Sequence, residues 1–447
     1  MTDAPTRLAV VGTGYVGLTT GACFAHLGHH VVCGDIDERK VALLNSGHIP
    51  IVEEGLESIV NGARTAGRLE FVLGAQAAAQ DADIVFLCVP TPQGDDGSAD
   101  LSYIEQAAEQ IAPVLRPGAI VVNKSTVPVG STIAVERVLQ RDDVHVVSNP
   151  EFLREGTAVH DFLHPDRVVI GSADRAAAER VADLYASVDA PIHITDPASA
   201  ETIKYAANGF LAMKISFVNA VAAMCEAVGA DVAAVVEGIG SDKRIGSQFL
   251  RPGPGWGGSC FPKDSRALVK IAEDHGYNFT MMRGVIDVND EQLERMVAKI
   301  GRAVGRAIGG ELDLHVEDLS GLTVGALGLT FKAGTDDLRE SPALAIIAEL
   351  RSLGARVRAF DPTTVGELTE HQARVLDGIE VVQDPVDVAD GADVIAVFTE
   401  WPEFAKLELA HLAARTRPGI TIVDTRNLLD AANVRAAGFD YDGVGRR

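Results

Sequence analysis

Leu8-Ala9-Val10-Val11 runs directly into Gly12-Thr13-Gly14-Tyr15-Val16-Gly17, and this junction restricts the fold more than any other stretch of the 447 residues. A short apolar run entering a GxGxxG turn and then a helical pattern reads as strand, tight turn, helix. The three glycines serve different ends. Gly12 permits the turn, Gly14 lets backbone approach a pyrophosphate, and Gly17 lets the helix pack closely on the strand, while N–H groups at the helix start face the anion. A lone GxGxxG is weak. Here a second apolar strand, Val31-Val32-Cys33-Gly34, ends at Asp35, close to the spacing at which a carboxylate holds adenosine ribose hydroxyls. Asp35 would repel a 2′-phosphate, which favours NAD over NADP, with Arg39 and Lys40 as the opposing signal.

Further strand signals recur at Ile84 to Val89, Ala119 to Asn123, Val144 to Ser148 and Arg167 to Gly171, separated by helical patterns such as Leu101 to Leu115. That alternation predicts an α/β fold with a doubly wound parallel sheet, whose ligands sit outside the carboxyl ends of the strands. Those ends carry Pro90-Thr91-Pro92, Lys124 to Pro128 and Asn149 to Gly156. From Ser199 to Gly238 the pattern turns continuously helical, with Glu201, Lys204, Tyr205 and Asn208 at three- and four-residue steps on one face. Gly309 to Gly321, with Glu311, Asp313, Glu317 and Asp318, reads as a linker or surface excursion. A second α/β unit follows from Thr323, lacking a complete GxGxxG, with Lys332, Arg339 and Arg426 as candidate phosphate contacts. The expected domains are 1–198, a nucleotide-binding unit; 199–309, mainly helical; and 322–447, the second α/β unit.

A formal net charge of -24 argues against nucleic acid or an anionic membrane as partner, since both demand a basic surface. The stretch between Arg7 and Asp35 lacks formal charge, yet its six glycines, three histidines and single preceding arginine fit neither a membrane span nor an export signal. No other apolar run reads as long enough to span a bilayer. Cysteines at 23, 33, 88, 225 and 260 show neither CxxC pairs nor zinc-ligand spacing, so a reducing cytoplasm and no metal are expected.

Of those five, Cys260 stands apart. It lies in Gly255-Trp256-Gly257-Gly258-Ser259-Cys260-Phe261-Pro262-Lys263-Asp264, an open glycine-rich loop with a cation nearby that favours thiolate. This is how a reactive thiol is presented, and it is also what a Gly/Pro loop with an incidental cysteine would look like. The segment alone does not choose.

Taken in order, Gly12 to Gly17 with Asp35, Val89 to Pro92, Ser125 to Pro128, Asn149 to Gly156, Lys204 to Asn208, Gly257 to Asp264, and Leu329 to Lys332 with Thr335 to Ser341 resemble the UDP-glucose/GDP-mannose dehydrogenase family over nearly the whole chain. The resemblance implies two Rossmann-like domains joined by a long central helix, with NAD on the first and the uridine side of a sugar nucleotide on the second. It implies a four-electron oxidation of UDP-glucose at C6, through a thiohemiacetal and a thioester on Cys260. Lys204 would stabilise the oxyanion or move protons, Asn208 would orient the reacting oxygen, Asp264 with Thr126 would position water, and Glu151 would be a further acid/base carboxylate. NAD would be held by Gly12, Gly14, Tyr15, Val16, Gly17, Asp35, Lys40, Thr91, Thr126, Glu155, Lys263 and Arg339. The sugar nucleotide would be lined by Glu151, Phe152, Leu153, Arg154, Glu155, Lys204, Asn208, Phe249, Leu250, Arg251, Pro252, Gly253, Gly257, Lys332 and Arg426. Arg244 matches an arginine that members contribute across a subunit boundary, so a homodimer or higher homo-oligomer is expected. Ala220 departs from the glutamate common in relatives. Phe261 resembles UDP-glucose members more than GDP-mannose ones; GDP-mannose or a UDP-N-acetylhexosamine is the alternative substrate, and an NAD-binding scaffold the non-enzymatic one.

Overall fold

The computed structural model describes residues 5–94, 98–305, 307–310, 313–316 and 318–446; Glu311 and Glu317 of the acidic excursion lie outside them. The chain divides into two compact units, residues 1–207 with 266–277, and 208–265 with 278–447. It passes between them three times, twice within helices, Pro197–Val228 and Phe261–Asp274, and once between Tyr277 and Asn278.

The first unit is built on eight strands, β1 (Arg7–Val11), β2 (His30–Asp35), β3 (Leu69–Leu73), β4 (Ile84–Leu87), β5 (Ile120–Asn123), β6 (His145–Ser148), β7 (Val168–Gly171) and β8 (Ile192–Thr195), in the order β3-β2-β1-β4-β5-β6-β7-β8. Both faces of the sheet are covered, as the sequence of β1 requires: Leu8 and Val10 enter a core with Leu18, Phe24 and Phe86, while Ala9 and Val11 enter another with Val85, Leu87 and Ile104. Pairing is parallel except that β6 meets β7 antiparallel at Ser148 and Gly171, the last residue of each. The two strands therefore touch only at their carboxyl tips. That tip is where Asn149 to Gly156 begins, at the edge where open α/β sheets bind ligands.

The GxGxxG turn is held by close approach. A Cβ on Gly12, whose φ is +95°, would lie 2.6 Å from the Cys88 carbonyl oxygen, and one on Gly17 would lie 1.9 Å from the Gly12 carbonyl oxygen. Gly14 has nothing within 4 Å, leaving the start of helix Tyr15–His26 open.

In the second unit an antiparallel hairpin, β9 (Ala307–Gly310) with β10 (Asp313–Val316), begins two residues before the expected excursion and overlaps it. The unit then repeats the plan of the first with β11 (Thr323–Leu327), β12 (Arg356–Phe360), β13 (Glu380–Val381), β14 (Val394–Val397), β15 (Thr421–Asp424) and β16 (Asp440–Gly443), all parallel, in the order β13-β12-β11-β14-β15-β16.

Helix Pro197–Val228 has 32 residues, about 48 Å at 1.5 Å per residue. Proline opens it at a position that needs no N–H donor, alanines fill it, and Gly229 (φ +76°) ends it while the Ala230 N–H reaches back to the Cys225 carbonyl at 2.9 Å. By length and composition this helix could cross a membrane, contrary to the expectation that no apolar run here would qualify. Its polar residues say otherwise, since Glu201, Lys204, Asn208, Ser216 and Asn219 are buried.

Gly17→Ala is expected to destabilise the protein by about 1–3 kcal/mol, because overpacking must displace the helix from the turn. Gly14→Ala, facing open space, should stay within about 0.5 kcal/mol of the parent. Urea unfolding midpoints check both.

Candidate active site

In the first unit, Asp35 closes the glycine turn. Its Oδ2 accepts from the Thr13 N–H (2.9 Å), the Thr13 hydroxyl (2.6 Å) and Lys40 Nζ (3.2 Å), and its Oδ1 accepts from the Asp37 N–H (3.0 Å). Burial alone would raise this carboxyl, but the hydrogen bonds from Thr13 and Asp37 and the Lys40 charge hold it below the ordinary carboxylate value. Of the two residues that could have favoured a 2′-phosphate, Lys40 is paired to Asp35 and Arg39 is exposed. The open helix start at Gly14 and the anionic Asp35 together fit NAD, with pyrophosphate on the turn and ribose at the carboxylate.

The loops at the carboxyl ends of β4 and β5 are tied together: the Thr91 hydroxyl donates to the Thr126 carbonyl (2.9 Å) and the Ser125 hydroxyl to the Val89 carbonyl (2.7 Å). Glu201 fixes the continuation of this edge, accepting from the Gly130 N–H (2.7 Å), the Thr132 N–H (2.9 Å) and the Thr132 hydroxyl (2.7 Å) at the start of helix Ser131–Leu139. A carboxylate there suits the helix dipole.

Glu151 and Lys204 form a buried pair. Lys204 Nζ donates to Glu151 Oε1 at 2.8 Å, with the residues 3% and 5% exposed, and the Leu153 N–H donates to Glu151 Oε2 at 2.6 Å. Burial pushes the Glu151 carboxyl up, yet the Lys204 ammonium and the Leu153 N–H outweigh it and keep the group below its ordinary value. Beside them the Phe152 ring lies under the Arg167 guanidinium, 3.6 Å from the ring centroid, with Lys204 Nζ at 5.4 Å. Glu155 is half-buried, and Arg154 is paired on the surface with Asp161 at 2.6 Å.

Sequence reasoning missed Glu53. It accepts from the Gly156 N–H at 2.8 Å, and the same N–H contacts the Tyr15 hydroxyl, so the turn and the 149–156 loop share one anchor. Lys124 and Asn149, read from sequence only as the first residues of two strand-end turns, are hydrogen-bonded to each other and to Tyr185, which the sequence did not single out.

In the second unit, Asn208 Nδ2 donates to Asp264 Oδ2 at 2.6 Å and Lys263 Nζ to Asp264 Oδ1 at 2.7 Å, with Asp264 wholly buried. Asn208 follows Lys204 by one turn on the same helix face. Cys260 immediately precedes helix Phe261–Asp274 and is partly exposed, its Sγ 3.6 Å from the Ser259 hydroxyl; a helix start is a position that favours thiolate. The other four cysteines are buried, and burial pushes Cys23 and Cys88 up to about 12. They are inert by the same physics that makes Cys260 available.

The loop before Cys260 is clamped from both sides. A Cβ on Gly257 would lie 1.9 Å from the Glu340 carbonyl oxygen, and one on Gly258 2.8 Å from the Phe331 ring. Asn219 Oδ1 accepts from the Gly253 N–H (2.8 Å), Gln292 Nε2 donates to the Gly253 carbonyl (2.7 Å), Asn289 bonds both the N–H and the carbonyl of Trp256, and the Trp256 indole donates to Ser216 (2.9 Å). Phe249 takes a φ of +62°, Leu250 is buried, Arg251 exposed and Pro252 half-buried. Arg426 donates to the Phe398 and Phe331 carbonyls, both at 2.8 Å, and pairs with Glu400 at 3.0 Å. It therefore holds the chain next to Lys332. Arg339 pairs with Asp337 (2.7 Å) and Arg244 with Asp242 (2.6 Å), both arginines largely exposed.

Three domain descriptions of one family match in sequence: the NAD binding domain at residues 6–189, the central domain at 198–291 and the UDP binding domain at 325–431. The chain belongs to the UDP-glucose/GDP-mannose dehydrogenase family. A UDP-glucose 6-dehydrogenase of Rhizobium meliloti (strain 1021) is 44% identical over 450 residues, covering 98% of this chain and 99% of that one. The solved UDP-glucose dehydrogenase of Pyrobaculum islandicum is 38% identical with a TM-score of 0.89, covering 100% and 99%. The UDP-D-ManNAc dehydrogenase of Pyrococcus horikoshii is 28% identical with a TM-score of 0.85, covering 99% of each chain. The fold expected from the sequence, two Rossmann-like domains and a long central helix, is the one observed, and the cofactor of this family member is NAD.

Removing one member of a buried ion pair strands the other. Lys204→Met is expected to cost about 3–5 kcal/mol at neutral pH. In the parent, Glu151 has a lowered value, so its contribution is present above the unfolded carboxylate value and fades as pH falls through the folded one. In the variant the stranded carboxyl moves up, so the loss should be smaller at about pH 4 than at about pH 7. Urea unfolding at the two pH values measures this.

Proposed function

We propose that the chain oxidises UDP-glucose to UDP-glucuronate at the expense of two NAD, with Cys260 as the covalent holding point. The observation that carries this is one partly exposed cysteine at a helix start, one turn from a buried Asp264 whose oxygens are held by Asn208 and Lys263. NAD, when bound, supplies the hydride acceptor for both oxidations. The C6 alcohol gives up a hydride and a proton to become an aldehyde; the Cys260 thiolate adds to its carbon and the oxygen takes a proton, giving a thiohemiacetal. Loss of a second hydride and that proton leaves a thioester. Water then attacks the carbonyl, the thiolate leaves, and the carboxylate is free.

Lys204 is suited to stabilising negative charge on the reacting oxygen, with Glu151 as its proton partner at 2.8 Å. Asn208 and Asp264 orient the oxygen and the attacking water, and the Thr126 hydroxyl is a further candidate for holding that water. The UDP half falls to the second unit, where Lys332 and the 249–253 loop lie. UDP-glucose is favoured over a UDP-N-acetylhexosamine or GDP-mannose by the higher identity to UDP-glucose dehydrogenases, and a scaffold role is opposed by the intact Lys204, Asn208, Cys260 and Asp264.

Cys260→Ser should abolish steady-state turnover while leaving NAD binding intact. The parent should release about two NADH per UDP-glucose. Absorbance at completion with limiting UDP-glucose decides it: one NADH per sugar, or normal turnover by the variant, overturns the mechanism.

A homodimer in the cytoplasm completes the proposal. Phe210, Phe217 and Met224 recur every seven residues along helix Pro197–Val228 and are each more than half exposed, a stripe suited to packing against a second copy. The five free thiols suit a reducing compartment. Phe217→Asp should shift the mass in solution from dimer to monomer, read by light scattering coupled to size exclusion; an unchanged mass overturns the assignment of this stripe.

A further inference from the structure

Residues 253–257, the approach to Cys260, are buried and belong to no helix or strand, and among the described residues their backbone makes no hydrogen bond to another backbone group. Buried N–H and C=O groups in such a segment must find side chains. Helix Thr280–Ala303 supplies them. Its buried face begins Met282, Val285, Asn289, Gln292, Met296, so two amides interrupt an otherwise apolar stripe. Asn289 is 6% exposed; its Oδ1 accepts from the Trp256 N–H at 2.7 Å and its Nδ2 donates to the Trp256 carbonyl at 3.1 Å. Those are the two bonds a neighbouring strand would make to one residue, made here by one side chain. The approach needs Gly255, since a Cβ there would lie 3.0 Å from the Asn289 oxygen. Ser216 accepts from the buried Trp256 indole and donates to the Val285 carbonyl, one turn before Asn289. Gln292 meets a different part of the segment, its Nε2 donating to the Gly253 carbonyl at 2.7 Å.

We propose that Asn289 is a positioning residue for the Cys260 thiol, its amide fixing the chain at Trp256 so that the thiol takes one direction at the start of helix Phe261–Asp274. Only Gly257, Gly258 and Ser259 lie between Trp256 and Cys260. Two glycines leave a chain wide conformational freedom, so the direction of the thiol is set by the anchors on either side. After Cys260 that anchor is the helix; before it, the anchor is Trp256 on Asn289, with Gly257 and Gly258 pressed against the Glu340 carbonyl and the Phe331 ring. A reacting atom misplaced by about 1 Å loses on the order of a hundredfold in rate. Gln292 acts seven residues upstream of the thiol, in the 249–253 stretch proposed to lie against the sugar nucleotide. The two amides, three residues apart on one helix face, therefore govern different steps: Asn289 the covalent step, Gln292 substrate binding.

The inference rests on Cys260 as the nucleophile, and the test separates the two. Asn289→Leu and Gln292→Met keep side-chain size, and each leaves buried backbone groups unpaired, so both should lower the urea midpoint and stability alone does not tell them apart. Kinetics does. Asn289→Leu should lower kcat by about 10- to 100-fold with KM for UDP-glucose within about twofold of the parent, whereas Gln292→Met should raise that KM roughly tenfold and leave kcat near the parent's. Without substrate, iodoacetamide should add to one thiol of Asn289→Leu several times faster than in the parent, counted by mass, because Cys23, Cys33, Cys88 and Cys225 stay buried. Trp256 emission should move to longer wavelength over the background of Trp401. Asn289→Asp keeps the acceptor for the Trp256 N–H and loses the donor to its carbonyl; its kcat should fall between, and it decides the matter alone if the leucine variant does not fold, a parent kcat overturning the proposal. Parent kcat with parent alkylation in Asn289→Leu, the same changes of kcat and KM in Asn289→Leu and Gln292→Met, or adducts on several thiols also overturns it. Faster alkylation of one thiol with parent kcat supports the anchoring by Asn289 and overturns Cys260 as the nucleophile.

Discussion

Every polar side chain that helix Pro197–Val228 buries must find a partner, and the surrounding loops and helix starts lie where they do because of it. An unpaired buried carboxylate or ammonium costs several kcal/mol, more than any local helix preference can offset. In the first unit, Glu201 takes three donors at the start of helix Ser131–Leu139 and Lys204 takes Glu151. In the second, Asn208 takes Asp264, Ser216 bonds the Val285 carbonyl and the Trp256 indole, and Asn219 takes the Gly253 N–H. These bonds fix the rotation of the helix about its axis. Lys204 and Asn208, one turn apart, are therefore presented on a face the helix cannot turn away.

The two units share a frame and diverge at one carboxylate. Gly12 and Gly328 have φ of +95° and +97°, and their N–H groups reach the Gly34 and Phe360 carbonyls at 2.7 and 2.8 Å. Asp35 and Asp361 then each accept from the backbone of the turn. Asp35 spends its remaining capacity on Lys40 and Asp37 and keeps 8% of its surface open. Asp361 is wholly buried, taking the Leu329 and Thr330 N–H groups, the Thr330 and Thr363 hydroxyls, the Thr363 N–H and the Trp401 indole. A carboxylate so committed cannot serve a ribose. The second unit keeps the turn as architecture and must bind its nucleotide by other groups.

What the sequence made legible was local. The GxGxxG turn, the strand ending in Asp35, the apolar runs of both sheets and the Cys260 loop each declare themselves within a few residues, because glycine spacing and apolar periodicity are short-range signals. Pairings across long separations were not legible: Lys124 with Tyr185, Glu201 with Thr132, and Gly156 with Glu53 depend on which strands end side by side. Glu201 shows the limit well, for its spacing from Lys204 and Asn208 marked a shared face but not its role in holding a neighbouring helix start. The hairpin β9–β10 was hidden by an acidic, glycine-bearing stretch whose strands are only four residues each.

Charge placement explains why so acidic a chain can still hold anionic ligands. On three helices, Lys40, Lys204 and Lys263 each sit against a carboxylate, and in loops Arg426 and Arg339 likewise pair with Glu400 and Asp337. A cation already paired adds little net field at a distance, so the pull on an anionic ligand comes from oriented N–H groups at close range, such as the helix start left open by Gly14. Binding by short-range dipoles tolerates a net charge of -24, because a dipole at contact distance outweighs surface charges screened over roughly 8 Å. The same pairing fixes each of these lysines in place against its carboxylate.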